Sequence, residues 1–214
     1  MKKKITVLQA VLTVISISCL LISNIAASKQ MLLPFGFVMT CSNLVFPLTY
    51  VLSDVFSEVY GYKWSRFTCY LGFAMNLLMV TVLQISIILP YPNFWENQLQ
   101  FQTIFGTSLR VLVASFSAFI VGDFINDKIF EIMKRKQKNK FFLRAILSSI
   151  AGQIVDSVIF VSVAFIGVMN TMDIFMLLIT EITLKTAYEI FVLPLTNIVV
   201  KKVFEYERRS ELNG

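Results

Sequence analysis

The sequence has no histidine, only three cysteines and a charged fraction of 15%. Without histidine, the protein lacks the usual general base, the commonest metal ligand and the side chain that titrates near neutral pH. Cys19, Cys41 and Cys69 all lie in apolar segments, and their odd number and wide spacing favour neither a disulfide framework nor a metal cluster. We therefore expect no cofactor and no metal, and we rank enzyme functions last.

Several catalytic motifs are also missing. The chain has no HExxH, GxSG or GxGD pattern, which argues against zinc, serine and paired-aspartate intramembrane proteolysis. It has no phosphate-binding Walker loop, so it is not expected to hydrolyse ATP by that route. An intramembrane enzyme is therefore only the third-ranked hypothesis.

The chain is rich in apolar sequence: 57% of its residues are hydrophobic and the mean hydropathy is +0.74. A helix needs about 20 predominantly apolar residues to cross a hydrocarbon layer of roughly 30 Å. Six runs meet this length, at residues 5–27, 33–57, 67–90, 104–126, 142–168 and 174–200. They predict an all-α polytopic membrane protein with six transmembrane helices, forming a single domain over residues 1–214.

The basic residues predict the orientation of these helices. The net charge of +6 does not indicate nucleic-acid binding, because the basic side chains fall at alternate membrane faces. One face carries Lys2–Lys4, Lys63, Arg66, Lys128, the run 134–140, Arg144, Lys201, Lys202, Arg208 and Arg209. Lys29 alone lies in an opposite loop. Since lysine and arginine concentrate in cytoplasmic loops, both termini are predicted to be cytoplasmic.

The first apolar run has some features of a cleavable signal peptide. It follows Lys2–Lys4 and has small residues near its end, Ala26 and Ala27. Its apolar core of about twenty residues exceeds the roughly 7–15 residues of a signal peptide. We therefore expect this run to be retained as a transmembrane helix.

Four ionisable side chains, Asp156, Glu181, Lys185 and Glu189, lie inside the last two apolar runs. A charged group at the centre of a membrane helix costs about 2.5–3.5 kcal/mol on the insertion scale. Because lipid offers no partner, such groups are expected to face a bundle interior or a water-filled cavity. They mark a pathway or a binding site.

On the fifth run, Ser149, Gln153 and Asp156 follow one another at spacings of four and three residues. This spacing places a hydroxyl, an amide and a carboxylate on one helix face near the middle of the bilayer. The three residues form the best candidate ligand site. The alternative is polar packing between helices, but a carboxylate is costly for packing alone.

On the sixth run, Glu181, Lys185 and Glu189 repeat every four residues, with Tyr188 beside them and Pro194 beyond. Lys185 could be compensated by the two glutamates within its own helix, so a self-paired polar stripe remains an alternative to a ligand role. Proline removes a backbone hydrogen bond, which membrane helices tolerate where they line a cavity.

The second run ends in another polar repeat, formed by Tyr50, Asp54 and Glu58 at four-residue intervals. If the helix continues, these side chains share one face. Their depth is ambiguous, and the alternative is that both acids are hydrated at the interface or paired with Lys63 and Arg66. All three residues are candidate substrate-binding residues.

A short internal sequence repeat links the fourth and fifth runs. GDFIN at 122–126 and GQIVD at 152–156 share a glycine, a polar residue, two apolar residues and a final polar residue. Transporter folds often contain internal repeats, so this repeat favours a transporter.

The segment FPLTYVLSDVFSEVYGYKWSR at 46–66, preceded by SNIAASK at 23–29, resembles the signature of the queuosine precursor transporters, formerly grouped as vitamin uptake transporters. RVLVAS at 110–115, SSIAGQIVDSVIF at 148–160 and the stretch 185–194 follow in the family's order and spacing. The resemblance covers nearly the whole chain. It adds Arg110 and Ser115, from the RVLVAS motif, to the candidate substrate-binding residues.

The resemblance implies a bacterial inner-membrane carrier that imports 7-deazaguanine precursors of queuosine, such as preQ0, preQ1 or queuine, for tRNA modification. Asp156 or Glu58 would accept the N–H donors of a guanine-like edge. Gln153 or Lys185 would donate to its carbonyl, and an aromatic residue such as Tyr50 or Tyr188 would stack on the ring.

The sequence leaves the energy source and the assembly open. The buried acids could carry protons, or uptake could be facilitated diffusion followed by metabolic trapping of the substrate. A second hypothesis is a substrate-binding membrane subunit that needs a separate ATP-driven partner. The expected partners are a small-molecule substrate and the lipid bilayer, but not nucleic acid, and a homo-oligomer remains open.

Overall fold

The computed structural model describes residues 5–136 and 141–213. Seven α-helices lie in this part of the chain: α1 (Val7–Ala26), α2 (Phe46–Val55), α3 (Tyr62–Ile88), α4 (Gln98–Phe105), α5 (Ser108–Lys136), α6 (Phe141–Phe165) and α7 (Thr171–Asn213). Two short strands, β1 (Gln30–Leu32) and β2 (Val38–Thr40), lie between α1 and α2. The prediction of a mainly helical protein is confirmed.

Four stretches of the described chain are long and apolar enough to cross a membrane: Val7–Ala26, Lys63–Ile88, Gln98–Asn126 and Leu147–Phe165. They correspond to the predicted runs one, three, four and five. Only 17% of the residues in the apolar window of the first stretch are buried within the protein. Such a large outward-facing apolar surface suits contact with acyl chains rather than water.

The last predicted run, 174–200, lies within α7, which continues for 43 residues. At 1.5 Å per residue this helix is roughly 65 Å long, about twice the thickness of a hydrocarbon layer. The helix α7 is therefore longer than one crossing of the membrane requires.

The second predicted run, residues 33–57, is not one helix, so this part of the prediction is wrong. In its place the chain forms an antiparallel hairpin in which Gln30 pairs with Thr40 and Leu32 pairs with Val38. Pro34 and Gly36 form the turn between the strands, and the glycine has a φ of 81°. Pro34 begins a short 3₁₀-helix, Pro34–Gly36, and Gly36 ends it with a positive φ that other residues rarely adopt, so the chain reverses here instead of continuing as an α-helix.

The rest of this stretch is also irregular. A 3₁₀-helix covers Cys41–Leu44, α2 follows, and a π-helix covers Phe56–Tyr60. Gly61, with a φ of 88°, separates the π-helix from α3. We call residues 30–60 the broken segment. Irregular backbone at membrane depth is tolerated only where it is buried in protein or lines a water-filled cavity.

Helices α5 and α6 pack closely at two glycines, Gly122 of the GDFIN segment and Gly152 of the GQIVD segment. A Cβ added to Gly122 would lie 3.0 Å from Gly152 O and 3.0 Å from Asp156 Cβ. A Cβ added to Gly152 would lie 2.8 Å from Gly122 O. The backbones touch because neither residue has a side chain, and this contact positions Asp156.

Buried apolar residues join this helix pair to α7. Ala114 of α5, Val161 of α6 and Leu177 of α7 belong to one core cluster and are almost fully buried. At the opposite end of α7, Glu207 accepts hydrogen bonds from Thr6 and Tyr60. The start of α1, the end of the broken segment and the end of α7 therefore lie together.

Candidate functional site

Three of the ionisable residues singled out in the sequence meet in the structure. Lys185 Nζ lies 2.9 Å from Asp156 Oδ2 on α6 and 4.0 Å from Glu181 Oε2 on its own helix. Lys185 is therefore bound more closely to the neighbouring helix than to Glu181. These distances argue against a purely self-paired stripe on α7, which was the alternative left open by the sequence.

The broken segment holds the other oxygen of Glu181. Glu181 Oε1 accepts hydrogen bonds from Thr40 Oγ1 at 2.9 Å and from Asn43 Nδ2 at 2.6 Å. The backbone N–H of Thr40 lies 3.5 Å from the same oxygen, and Ser42 Oγ is 2.6 Å from Thr40 Oγ1. We call the following five residues the central polar cluster: Thr40, Asn43, Asp156, Glu181 and Lys185.

The central polar cluster lies about half a membrane thickness from the face at which α6 ends and α7 begins. Glu181 is ten residues after the first residue of α7, and Asp156 is nine residues before the last residue of α6. These two helix ends are joined by a short loop, so both counts start from the same face. At 1.5 Å per residue, the carboxylates lie roughly 15 Å from that face, about half the thickness of the hydrocarbon layer.

The two carboxylates of the cluster differ in accessibility. The side chain of Asp156 is 24% exposed, whereas that of Glu181 is 3% exposed and that of Lys185 is 9% exposed. Glu181 is enclosed by donors from the broken segment on one oxygen and by Lys185 on the other. Asp156 is therefore the carboxylate that a solute can reach, and Glu181 is suited to holding the structure around it.

The cluster combines two carboxylates with one ammonium group, so with ordinary charges it carries one net negative charge. A buried charge is costly unless it is paired and hydrogen-bonded. Lys185 pairs most closely with Asp156, and the Thr40 and Asn43 donors stabilise Glu181. Asp156 is also 24% exposed, so its carboxylate can accept hydrogen bonds from a solute.

Aromatic rings lie beside these charges. Lys185 Nζ is 6.0 Å from the centroid of the Phe160 ring on α6, at the outer limit for a cation–π contact. The Phe160 ring packs edge-on against Phe165, with the ring centroids 6.1 Å apart. Tyr188 is half-buried and lies three residues after Lys185 on α7. Phe160 thus supplies a flat apolar surface next to the charged groups.

The remaining predicted residues of α5 and α6 are partly enclosed. Gln153 and Ser149 are half-buried on the helix face that also carries Asp156. Ser115 is half-buried on α5, next to the fully buried Ala114. Their burial is compatible with a role near the central polar cluster.

The predicted residues of the broken segment lie elsewhere. Asp54 and Glu58 are exposed at the end of α2 and in the π-helix. The change from α-helix to π-helix after Val55 also interrupts the single regular face that the four-residue repeat predicted. The side chains of Tyr50, Glu189 and Pro194 lie outside the described part of the structure.

Arg110 contacts the end of a helix. Its Nε donates to Val163 O at 2.6 Å, and its Nη2 donates to Ile166 O. These carbonyls lie at the C-terminus of α6, where the partial negative charge of the helix favours a cation. The geometry gives Arg110 a capping function that joins α5 to α6.

We expect Arg110→Met to lower the free energy of unfolding by about 1–2 kcal/mol, because two charge-assisted hydrogen bonds to the end of α6 are lost. Substrate affinity per folded molecule should stay within about twofold. Thermal unfolding in detergent and ligand binding by the folded fraction check the two parts. Arg209→Met, at an exposed position on α7, is the control. A selective loss of affinity with unchanged stability would support a ligand role for Arg110 instead.

Thr40, Ser42 and Asn43 are members of the site environment that the sequence analysis missed. Their hydrogen bonds to one another and to Glu181 depend on the hairpin and 3₁₀-helix. The polar run TCSN at 40–43, three apolar residues after the proline and glycine at 34 and 36, is the signal that could have indicated them.

Comparison with known proteins identifies a family. The family model described as "Putative vitamin uptake transporter" matches residues 40–199, a range that includes every residue of the central polar cluster. The protein named "Probable queuosine precursor transporter" from Bacillus subtilis (strain 168) is 29% identical over 136 residues. That match covers 63% of this chain and 59% of the relative, so it spans less than two thirds of the relative's length.

A comparison with solved structures finds no match. The family model extends over most of the chain, and four stretches of the described chain are long and apolar enough to cross a membrane. The chain belongs to the vitamin uptake transporter family of multi-pass membrane proteins.

Proposed function

We propose that this protein imports queuosine precursors, which are 7-deazaguanine bases such as preQ0, preQ1 or queuine, across the bacterial inner membrane to supply tRNA modification. The printed name of the Bacillus subtilis relative supports this substrate class. The observation that carries the proposal is the position of Lys185 between an accessible carboxylate, Asp156, and an enclosed one, Glu181.

The recognition chemistry follows from the groups available. One edge of a 7-deazaguanine offers neighbouring N–H donors, which a carboxylate can accept in a pair. Asp156 takes these donors, because it is the more exposed carboxylate. Lys185 or Gln153 donates to the carbonyl oxygen of the base. Phe160 or Tyr188 covers the face of the ring, because aromatic pairs favour stacked or edge-on contact.

Glu181 serves as a positioning residue for the site. It fixes the broken segment to α7 through Thr40 and Asn43. Substrate bound at Asp156 competes for Lys185 and thereby changes the charge that Glu181 experiences. This coupling links occupancy of the site to the position of the broken segment, as alternating access requires.

In this proposal the chain crosses the membrane six times, through α1, the broken segment, α3, α5, α6 and α7. An even number of crossings places both termini on one face. The contact of Thr6 and Tyr60 with Glu207 supports this arrangement, because it brings together the ends that the model of six crossings assigns to one face. The basic residues near these ends favour the cytoplasm.

The direct test of the site is Asp156→Asn. This change keeps the shape of the side chain but removes the charge that pairs with Lys185 and accepts the N–H donors. We expect uptake of labelled preQ1 to fall at least tenfold, consistent with the loss of about 1.4 kcal/mol or more of binding free energy. Uptake by cells that lack the endogenous transporter measures this effect.

Asp173→Asn is the matched control, because Asp173 is exposed at the start of α7 and is bonded locally to Asn170. It should leave uptake unchanged. Uptake at the parental rate by Asp156→Asn, at equal protein amounts in the membrane, would remove Asp156 from the site.

Reconstitution of the purified chain in liposomes tests the transport mode. Accumulation of labelled preQ1 by the chain alone supports a carrier, whereas binding without transport supports a subunit that requires an ATP-driven partner. Comparing uptake with and without an imposed proton gradient separates proton coupling from facilitated diffusion. Offering preQ0, preQ1 and queuine in parallel identifies the preferred base.

A further inference from the structure

A second buried polar cluster lies far from the central one, at the end of α7. Glu207 is 8% exposed, and its Oε1 accepts hydrogen bonds from Thr6 Oγ1 at 2.6 Å and from Tyr60 OH at 2.8 Å. The two donors are 201 and 147 residues away from Glu207 in the chain. Such long-range bonds to one buried carboxylate must hold separate elements together.

Each member belongs to a different element. Thr6 is the N-cap of α1, where its Oγ1 also accepts from Gln9 N–H at 3.1 Å. Tyr60 is the last residue of the π-helix, immediately before Gly61 with its positive φ of 88°. Glu207 therefore ties the beginning of α1 and the end of the broken segment to α7.

The hydrogen bonds of this cluster are of the stronger kind. Hydroxyl donors to an ionised carboxylate form short, charge-assisted bonds, and burial increases their electrostatic strength. A tyrosine hydroxyl ordinarily keeps its proton near neutral pH, so Tyr60 remains a donor to Glu207.

The cluster joins two of the three elements that form the central polar cluster, namely the broken segment and α7. Glu207 lies 22 residues after Lys185 on α7, and Tyr60 lies 17 residues after Asn43 in the broken segment. Along a straight helix, 22 residues span roughly 33 Å. The broken segment and α7 are thus held together at mid-depth and again at the end where α1 begins.

The segment next to Tyr60 has features of a hinge. The Phe56–Tyr60 turn is a π-helix, a form found mostly as single turns at functional sites. Gly61 follows with a backbone conformation open to few other residues. Tyr60 is therefore placed where the chain can reorient when its bond to Glu207 breaks.

We propose that Thr6, Tyr60 and Glu207 form a latch that closes the mouth of the transport path on the face where α1 begins and α7 ends. Opening this mouth requires the bonds to Glu207 to break, so that α7 separates from the broken segment. The latch rests on the proposed transport function, but its opening is measurable without substrate.

Cys41 provides a native reporter for opening. It lies in the 3₁₀-helix beside Thr40 and Asn43 and is half-buried. In a chain with Cys19 and Cys69 replaced by alanine, a membrane-impermeant maleimide can label Cys41 from either face in vesicles of opposite orientation. The labelling rate from each face reports access to the central polar cluster from that face.

We expect Tyr60→Phe to raise about tenfold the rate at which Cys41 is labelled from the face where α1 begins and α7 ends, which we call the latch face. This change is equivalent to a shift of about 1.4 kcal/mol toward the open state. Thr6→Val should also raise the rate of Cys41 labelling from the latch face. Labelling from the opposite face should not increase. Tyr206→Phe is the control, because the Tyr206 side chain adjacent to Glu207 is 61% exposed, and it should leave both rates unchanged.

Rates within twofold of the parent chain for both Tyr60→Phe and Thr6→Val would overturn the latch. If both variants fail to accumulate, a second experiment decides. In a chain without native cysteines, Thr6→Cys and Glu207→Cys are bridged by a short reducible cross-linker. Bridging is expected to stop preQ1 uptake until the reductant is added, and uptake at the unbridged rate would also overturn the latch.

The labelling result separates the latch from the proposed function. Increased labelling in Tyr60→Phe combined with no uptake of any queuosine precursor by the parent chain would retain the latch and reject the substrate assignment. Uptake of a precursor by the parent chain, combined with unchanged labelling in Tyr60→Phe, would retain the substrate assignment and reject the latch.

Discussion

Lys185→Met should lower the free energy of unfolding by about 3–5 kcal/mol, which is a large part of the stability of most proteins. Lys185 is 9% exposed and lies between Asp156 and Glu181. Removing its charge leaves the buried carboxylate of Glu181 and the partly exposed one of Asp156 without the cation that lies between them. The measurement is the loss of folded protein on heating in detergent, followed by size-exclusion chromatography.

A double substitution distinguishes charge imbalance from lost packing. Asp156→Asn combined with Lys185→Met removes one charge of each sign, and we expect it to recover part of the stability lost by Lys185→Met alone. Lys202→Met, at an exposed position of the same helix, should change stability by less than about 0.5 kcal/mol. If Lys185→Met is as mild as Lys202→Met, the central polar cluster does not carry the buried charges inferred here.

Gly152→Val is the second change with a large expected effect. A Cβ at this position would lie 2.8 Å from Gly122 O and 2.9 Å from Asn126 Cβ. The first contact is with backbone, so a side-chain rotation cannot relieve it, and α5 must move away from α6. Overpacking of this kind typically costs about 1–3 kcal/mol, and the two γ-methyl groups of valine place it at the upper end.

The separation of α5 from α6 should also reduce uptake, because Asp156 lies next to Gly122 at this crossing. Gly72→Ala is the matched control, since its added Cβ would meet only the flexible end of Leu20 at 3.0 Å. Unfolding temperature and uptake are measured for both variants. An unchanged unfolding temperature for Gly152→Val would show that the two helices are not in close backbone contact.

The sequence was sufficient to predict the helical elements wherever hydrophobicity alone decides the structure. Runs one, three and five became helices with ends close to those predicted, because a long apolar stretch without proline satisfies its own backbone hydrogen bonds only as a helix. The sequence also indicated Asp156 and Lys185 as unusual, because their burial cost can be estimated from hydrophobicity alone.

The second run shows where this reasoning fails. Hydropathy does not distinguish a membrane helix from an apolar hairpin, and in residues 33–57 the turn at Pro34 and Gly36 starts a hairpin instead of a helix. Thr40 and Asn43 could therefore not be assigned to the site. Their contacts with Glu181 join residues about 140 positions apart, and no local pattern encodes such a pairing.

The sequence by itself determined that the protein is helical and embedded in a membrane, and which charged groups need a partner. These properties depend on residue type and spacing within single segments. Only the tertiary structure decided that Lys185 pairs most closely with Asp156, that the broken segment holds Glu181, and that Glu207 joins α7 to the start of α1 and the end of the broken segment. The pairing of buried charges depends on how separate elements pack against one another. For α5 and α6, close backbone contact at Gly122 and Gly152 sets that packing.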